Sequence, residues 1–115
     1  MLWLQLVVAA VLVVPLGLDL YMPIREDNPL RPDQIALGRQ LFSDRRLSRD
    51  GSRACSSCHN PARAFSSNHP VAVGVFGRTG RRDAPALIHR GYARAFFWGP
   101  RATSLDEQVL AAITR

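Results

Sequence analysis

At 115 residues and a formal net charge of +6, the chain is long enough for one domain and too short for two, since an independent core usually needs on the order of 100 residues. Its 47% hydrophobic and 21% charged residues exclude general disorder, and two cysteines are too few for a disulfide scaffold. All fifteen basic residues are arginines; the charge favours anionic partners without identifying a function.

The chain opens on an apolar run, Met1 to Leu18, with no charged side chain before Asp19. Such a run of about 18 residues is long enough to span a bilayer and longer than the roughly 7–15 of a signal-peptide core. An uncleaved signal-anchor is the expectation and a removed signal peptide the alternative; a buried core helix fits least, because the run has no polar face. Both leading readings export the rest of the chain, which makes nucleic-acid binding a poor fit. Residues 19–31 hold Pro23, Pro29 and mixed charges and read as an extended linker or a packed leader. From 32 to 115 the pattern is that of one domain. Pro32 suits a first helical position, Asp33 suits the positive end of the helix dipole, and Ile35, Leu37, Leu41 and Phe42 recur at helical spacing. Ser43 to Arg53 is polar and predicts a loop. Pro70 to Pro85, with Gly74, Gly77 and Gly80 among valines, predicts irregular or briefly extended chain. Ser104-Leu105-Asp106-Glu107 is a capping box, in which Ser104 accepts from the third amide and Glu107 reaches back to the cap. Helix continues over 108–113. The predicted fold is mainly α, a helical domain with long loops and little sheet behind an N-terminal apolar helix.

The chemistry lies in Cys55-Ser56-Ser57-Cys58-His59, the attachment sequence of c-type haem. On a helical turn, positions i, i+3 and i+4 share a face, so two thiols and one imidazole point the same way. The thiols of Cys55 and Cys58 can add to the two vinyl groups of one porphyrin, and His59 then meets the iron as proximal ligand. An export signal is the setting in which such attachment is expected. Competing readings are weaker. A structural zinc site wants four ligands and lacks a second cysteine pair. A thioredoxin-like redox pair wants a strand–helix setting that is not visible, and a plain disulfide explains neither the histidine nor the spacing.

The other side of the iron decides function. An electron-carrying cytochrome often closes it with methionine, but both methionines, Met1 and Met22, precede the motif. His69 and His89 are the remaining imidazoles, and each reads more readily as a surface polar residue than as a ligand. An open or weakly held sixth position follows, which points to peroxide chemistry over simple electron carriage.

Seven segments occur in order: Leu37-Gly38-Arg39-Gln40-Leu41-Phe42, Arg46-Leu47-Ser48, Cys55 to His59, Pro70-Val71-Ala72-Val73-Gly74, Asp83-Ala84-Pro85, Phe97-Trp98, and Arg101-Ala102 followed by Glu107-Gln108. Together they resemble the N-terminal haem domain of the bacterial di-haem cytochrome c peroxidases, a family that includes the di-haem enzyme of methylamine utilisation. The resemblance runs from about Ile24 to Arg115 and is far more specific than the haem motif alone. It implies a cytochrome c-like domain carrying one covalent haem c, with His59 as ligand of the peroxidatic haem and Cys55 and Cys58 as its anchors. It implies that Trp98 lies on the electron path between two haems and that Gln108 belongs to the distal pocket near the peroxide. Asp83 replaces an asparagine that helps bind calcium between two domains, and a carboxylate is a good ligand for that cation. On their own residues, Trp98 reads as a core aromatic beside Phe96 and Phe97, and Gln108 as a polar helix residue.

The departures from the family pattern are equally specific. Val75 stands where members that need reductive activation carry a displaceable histidine, which favours the branch whose haem is open without prior reduction. The usual Trp-Asp-Gly-Arg-Ala reads Trp98-Gly99-Pro100-Arg101-Ala102. The distal acid is expected a few residues past Gln108, beyond Arg115, and the electron-donating domain with its own Cys-x-x-Cys-His is not in the sequence. The expectation is therefore a periplasmic haem c domain, anchored to the inner membrane by residues 1–18, from the peroxidatic half of a hydrogen peroxide-reducing enzyme. A small cytochrome or copper protein would donate the electrons, and these 115 residues alone would turn over weakly or not at all. A mono-haem electron-transfer cytochrome, with His69 or His89 as sixth ligand, is the alternative. A fragment whose partner polypeptide supplies the second haem is the third reading.

Overall fold

The first helix starts where backbone chemistry says it should. In the computed structural model, which describes residues 17–97, 99 and 101–114, α1 spans Pro32–Phe42 behind an extended Arg31. Proline has no amide to leave unpaired at this position. Asp33 sits in the first turn, where the Arg31 guanidinium grips its carboxylate at 2.7 Å, and Arg39 sits in the last turn, so both charges oppose the helix dipole. A single turn, α2, covers Cys55–Cys58, and α3 covers Leu105–Thr114. Between them run isolated 3₁₀ turns at Arg45–Leu47, Pro61–Arg63, Val75–Gly77 and Arg90–Tyr92. Among the described residues there is no strand, only antiparallel backbone bridges that close loops at Asn60–Ser66, Val73–Thr79 and Phe96–Ala102. The mainly α, loop-rich expectation holds for this part of the chain. Residues 1–16, nearly all of the expected N-terminal apolar helix, lie outside the described residues, and so does Trp98. Among the described residues no helix is long and apolar enough to cross a membrane.

The α3 start adds one partner to the capping box. Glu107 N–H donates to the Ser104 hydroxyl at 3.2 Å, as the capping box requires. The Glu107 carboxylate takes the Thr103 amide at 2.8 Å and the Thr103 hydroxyl at 3.0 Å, and the Ser104 amide adds a weaker bond to the same group. Thr103 offers two donors to one oxygen, and these bonds pull the Glu107 carboxyl below its usual range. The segment 19–31 reaches the same helix. Asn28 Nδ2 donates to Asp106 Oδ1 at 3.2 Å and the Arg25 guanidinium lies 3.7 Å from the same carboxylate. Met22 packs against Gly91 so closely that a Cβ there would stand 2.6 Å from its sulfur.

Among the described residues, the buried apolar side chains are Phe96, Ala102 and Ala84, and no described residue of the three helices is buried. Phe96 N–H donates to Ala102 O at 3.0 Å, closing the 96–102 loop, while the Arg90 guanidinium lies 5.2 Å over the Phe96 ring and donates to Ala95 O at 2.9 Å. The loop from α1 to α2 is held by carboxylates. Asp44 accepts from the Arg46 amide at 2.9 Å and pairs with its guanidinium, and Asp50 accepts from Ser52 and Phe76; both carboxyls are drawn down to about 2 by these hydrogen bonds. Because these values lie below the ordinary 3.8, the two groups stabilise the fold above about pH 4 and lose that contribution as the pH falls towards 2. Thermal unfolding followed by circular dichroism is expected to show Tm falling over that interval, with a flatter profile in a D44N/D50N double variant. An equally steep profile in the double variant would refute the assignment.

Candidate haem site

The helical turn of the motif is set by serine. Ser57 Oγ accepts from the Ala54 amide at 3.0 Å, satisfying a donor that the short helix leaves open, and Arg53 N–H donates to Ser48 Oγ at 3.1 Å just before it. Cys55 and Cys58 follow as free, half-buried thiols three positions apart on α2. The amide of His59 still bonds to Cys55 O at 2.9 Å, but its own backbone (φ −116°, ψ 74°) has left the helix. The imidazole is therefore placed by the helix end and the turn that follows, not by a continuing helical face.

That turn is the main addition to the sequence reading. Asn60 Oδ1 accepts from Ala62 N–H at 2.9 Å, Asn60 O receives the Arg63 and Phe65 amides at 2.9 Å each, and Asn60 N–H returns to Ser66 O at 3.2 Å. The Ser66 hydroxyl closes onto Arg63 O at 2.6 Å. Inside this ring of bonds Ala64 (φ 52°) and Phe65 (φ 57°) are both left-handed, a conformation that costs a residue with a Cβ about 1–2 kcal/mol and persists only where its surroundings enforce it. The result is that the Phe65 carbonyl stands 3.1 Å from His59 Nδ1. A carbonyl only accepts, so Nδ1 carries the proton and Nε2 keeps its lone pair for a metal. The Phe65 ring meets Phe42 edge to face, centroids 5.9 Å apart, so the end of α1 braces the turn that orients the imidazole.

This donor set fits haem c. Two thiols and an imidazole with a free Nε2 fall within one turn, beside the Phe42–Phe65 pair and the chain at Val73, whose carbonyl lies 3.9 Å from Cys58 Sγ. Among the described residues no group of three or more His, Cys, Asp or Glu side chains is arranged to hold a bare metal ion. Gln108 is half-buried in α3, and Asp83 is half-buried in the 78–89 loop with its carboxylate on the Ala84 amide at 2.7 Å. His69 and His89 are exposed, and His89 is left-handed at φ 57°. The Phe65 carbonyl escaped the sequence reading; its only local signal was the turn-forming Asn60-Pro61 pair.

A sequence profile described as "Di-haem cytochrome c peroxidase" matches residues 32–115. The chain belongs to the di-haem cytochrome c peroxidase family. Membership makes it a haem-binding, peroxidase-like domain. It is similar to the cytochrome-c peroxidase IdrP1 of Denitromonas iodatirespirans, 39% identical over 98 residues that cover 85% of this chain and 26% of that protein. The methylamine utilization protein MauG of Methylorubrum extorquens is 43% identical over 81% of this chain and 26% of its own length. The cytochrome c551 peroxidase of Pseudomonas aeruginosa is 35% identical over 82% and 29%. The chain thus spans about a quarter of the length of the curated relatives it matches. Among solved structures, a MauG-like protein associated with microbial copper homeostasis superposes with a TM-score of 0.73 at 36% identity, covering 84% of this chain and 31% of that one.

Proposed function

We propose that this chain is the peroxidatic haem c domain of a protein that reduces hydrogen peroxide with electrons from a small cytochrome or copper protein. The observation that carries the reading is the His59 Nδ1 contact to Phe65 O at 3.1 Å, directly behind the two thiols of α2. When bound, the haem supplies the iron at which the peroxide O–O bond is cleaved and to which electrons are delivered. Cys55 and Cys58 would hold the porphyrin by thioether bonds. His59 would offer Nε2 to the iron, and the carbonyl at Nδ1 keeps the ring from rotating. Gln108 is proposed to contact peroxide, and Trp98 to carry electrons. Asp83 is proposed as one ligand of a calcium ion shared with another part of the protein. The uncharged run 1–18 supports a periplasmic location with an inner-membrane anchor.

The test is spectroscopic. The haem-loaded chain is expected to give a high-spin ferric spectrum that changes on addition of peroxide. A low-spin bis-histidine spectrum that is lost in His69→Ala or His89→Ala would replace this reading with the electron-transfer cytochrome.

A further inference from the structure

One carboxylate joins the loop before the haem motif to a turn far along the chain. Asp50 Oδ2 accepts from the Phe76 amide at 2.7 Å, across 26 residues of sequence. Its other oxygen, Oδ1, accepts from the Ser52 amide at 3.0 Å and the Ser52 hydroxyl at 2.7 Å. Each oxygen therefore has a separate task, one local and one distant. The turn that Asp50 holds is Val75–Gly77, and its centre is unfavourable by itself: Phe76 is left-handed (φ 54°, ψ 25°) with an exposed ring, and Gly77 follows at φ 68°. Its base is closed by Gly74 N–H to Arg78 O at 2.7 Å and by the Val73–Thr79 bridge. Such a backbone persists only where its surroundings enforce it, and the Asp50 carboxylate is the side chain that bonds the Phe76 amide from outside the turn.

The chain that leads into the turn passes beside the haem-attachment motif. Val73 O is 3.9 Å from Cys58 Sγ, and a segment that close to a thioether sulfur borders the porphyrin once the vinyl carbon is bonded to that sulfur. Two residues later the Asp50-held turn begins. We propose that Asp50 is a positioning residue, a latch that fixes the Val75–Gly77 turn at the haem edge and so sets the access of small ligands to the iron. The proposal rests on the haem reading above and goes beyond it by assigning control of ligand entry to a carboxylate outside the motif.

The test uses the haem-loaded chain and three variants, Asp50→Asn, Asp50→Ala and Ser52→Ala. Asp50→Asn keeps the side-chain volume but cannot serve all three donors, and it stands in for Asp50→Ala if that variant loads haem poorly. The readouts are hydrogen exchange at the Phe76 amide, the ferric electron paramagnetic resonance spectrum, and the rate of cyanide binding. Loss of the latch is expected to speed Phe76 exchange by about tenfold or more, to shift the ferric spectrum and to change the cyanide rate severalfold. Ser52→Ala, which removes only the local hydroxyl, is expected to leave all three readouts unchanged. Unaltered exchange in both Asp50 variants overturns the proposal. So does faster exchange with an unaltered spectrum and cyanide rate, and so does a Ser52→Ala effect equal to that at Asp50. If the wild-type iron takes up no cyanide, the peroxidase reading fails, and the latch is then judged on the ferric spectrum alone.

Discussion

Replacing Cys55 and Cys58 together by alanine is expected to abolish covalent haem, while either single variant retains haem through one thioether. Both thiols are free and half-buried on one turn whose amide cap, Ser57, does not involve them, so the backbone of α2 survives the change. His59 also keeps its contact to Phe65 O, and a noncovalent haem can still be bound through iron alone. Mass spectrometry of denatured protein separates the cases, because only thioether-linked haem stays with the chain. Covalent haem in the double variant would sink the attachment assignment, as would two titratable thiols in the haem-loaded wild type. The same variant is expected to be more sensitive to protease. A group that binds only the folded chain adds stability by mass action, and no described residue of α1, α2 or α3 is buried. Losing the porphyrin would leave the described residues with a core of Phe96, Ala102 and Ala84.

Phe96→Ala is expected to destabilise the haem-loaded chain by about 3–5 kcal/mol, the usual range for deleting a buried aromatic side chain. Whole domains of this kind hold only about 5–15 kcal/mol, so the variant should be marginal or unfolded at 37 °C. The site has little capacity to compensate. Phe96 is 4% exposed and Ala102, opposite it across the loop closure, is 3% exposed; neither alanine of the core is large enough to fill the space a phenyl ring leaves. The ring also carries the Arg90 guanidinium at 5.2 Å, an attraction that the variant loses. Chemical denaturation followed by circular dichroism measures the change. Leu20→Ala, at a side chain 88% exposed, is the reference and is expected to fall within about 0.5 kcal/mol of wild type. A Phe96→Ala cost no greater than that of Leu20→Ala would show that the 96–102 loop is not the core of the domain.

The parts of the fold that local chemistry controls were readable in advance. Pro32 and Asp33 marked the start of α1, Ser104 marked the start of α3, and the Cys55–Cys58 spacing anticipated a helical turn carrying two thiols. What escaped depends on backbone dihedral angles or on distant contacts. Ala64 and Phe65 are not residues that favour left-handed backbone, so nothing in their identity announces the turn that aims the Phe65 carbonyl at His59. The Asp50 contact to Phe76 spans 26 residues and has no periodic signature. The two Thr103 donors that Glu107 gathers in addition to the Ser104 amide are supplied by loop geometry, which no capping-box pattern encodes. Gln108, Asp83 and Trp98 were singled out through resemblance to a family, because as isolated residue types they carry no chemical pattern of their own.

The partner of His59 Nδ1 is a main-chain oxygen, and this has an evolutionary consequence. A carboxylate in the same place could be deleted by one codon change. The carbonyl of residue 65 cannot, since every amino acid brings the same oxygen. Drift at position 65 among residues that tolerate its left-handed backbone therefore alters the packing on Phe42 without removing the oxygen that His59 meets. The vulnerable positions are those that shape the path of the chain, Asn60 and Ser66 above all, where a substitution would swing the oxygen away without touching any ligand.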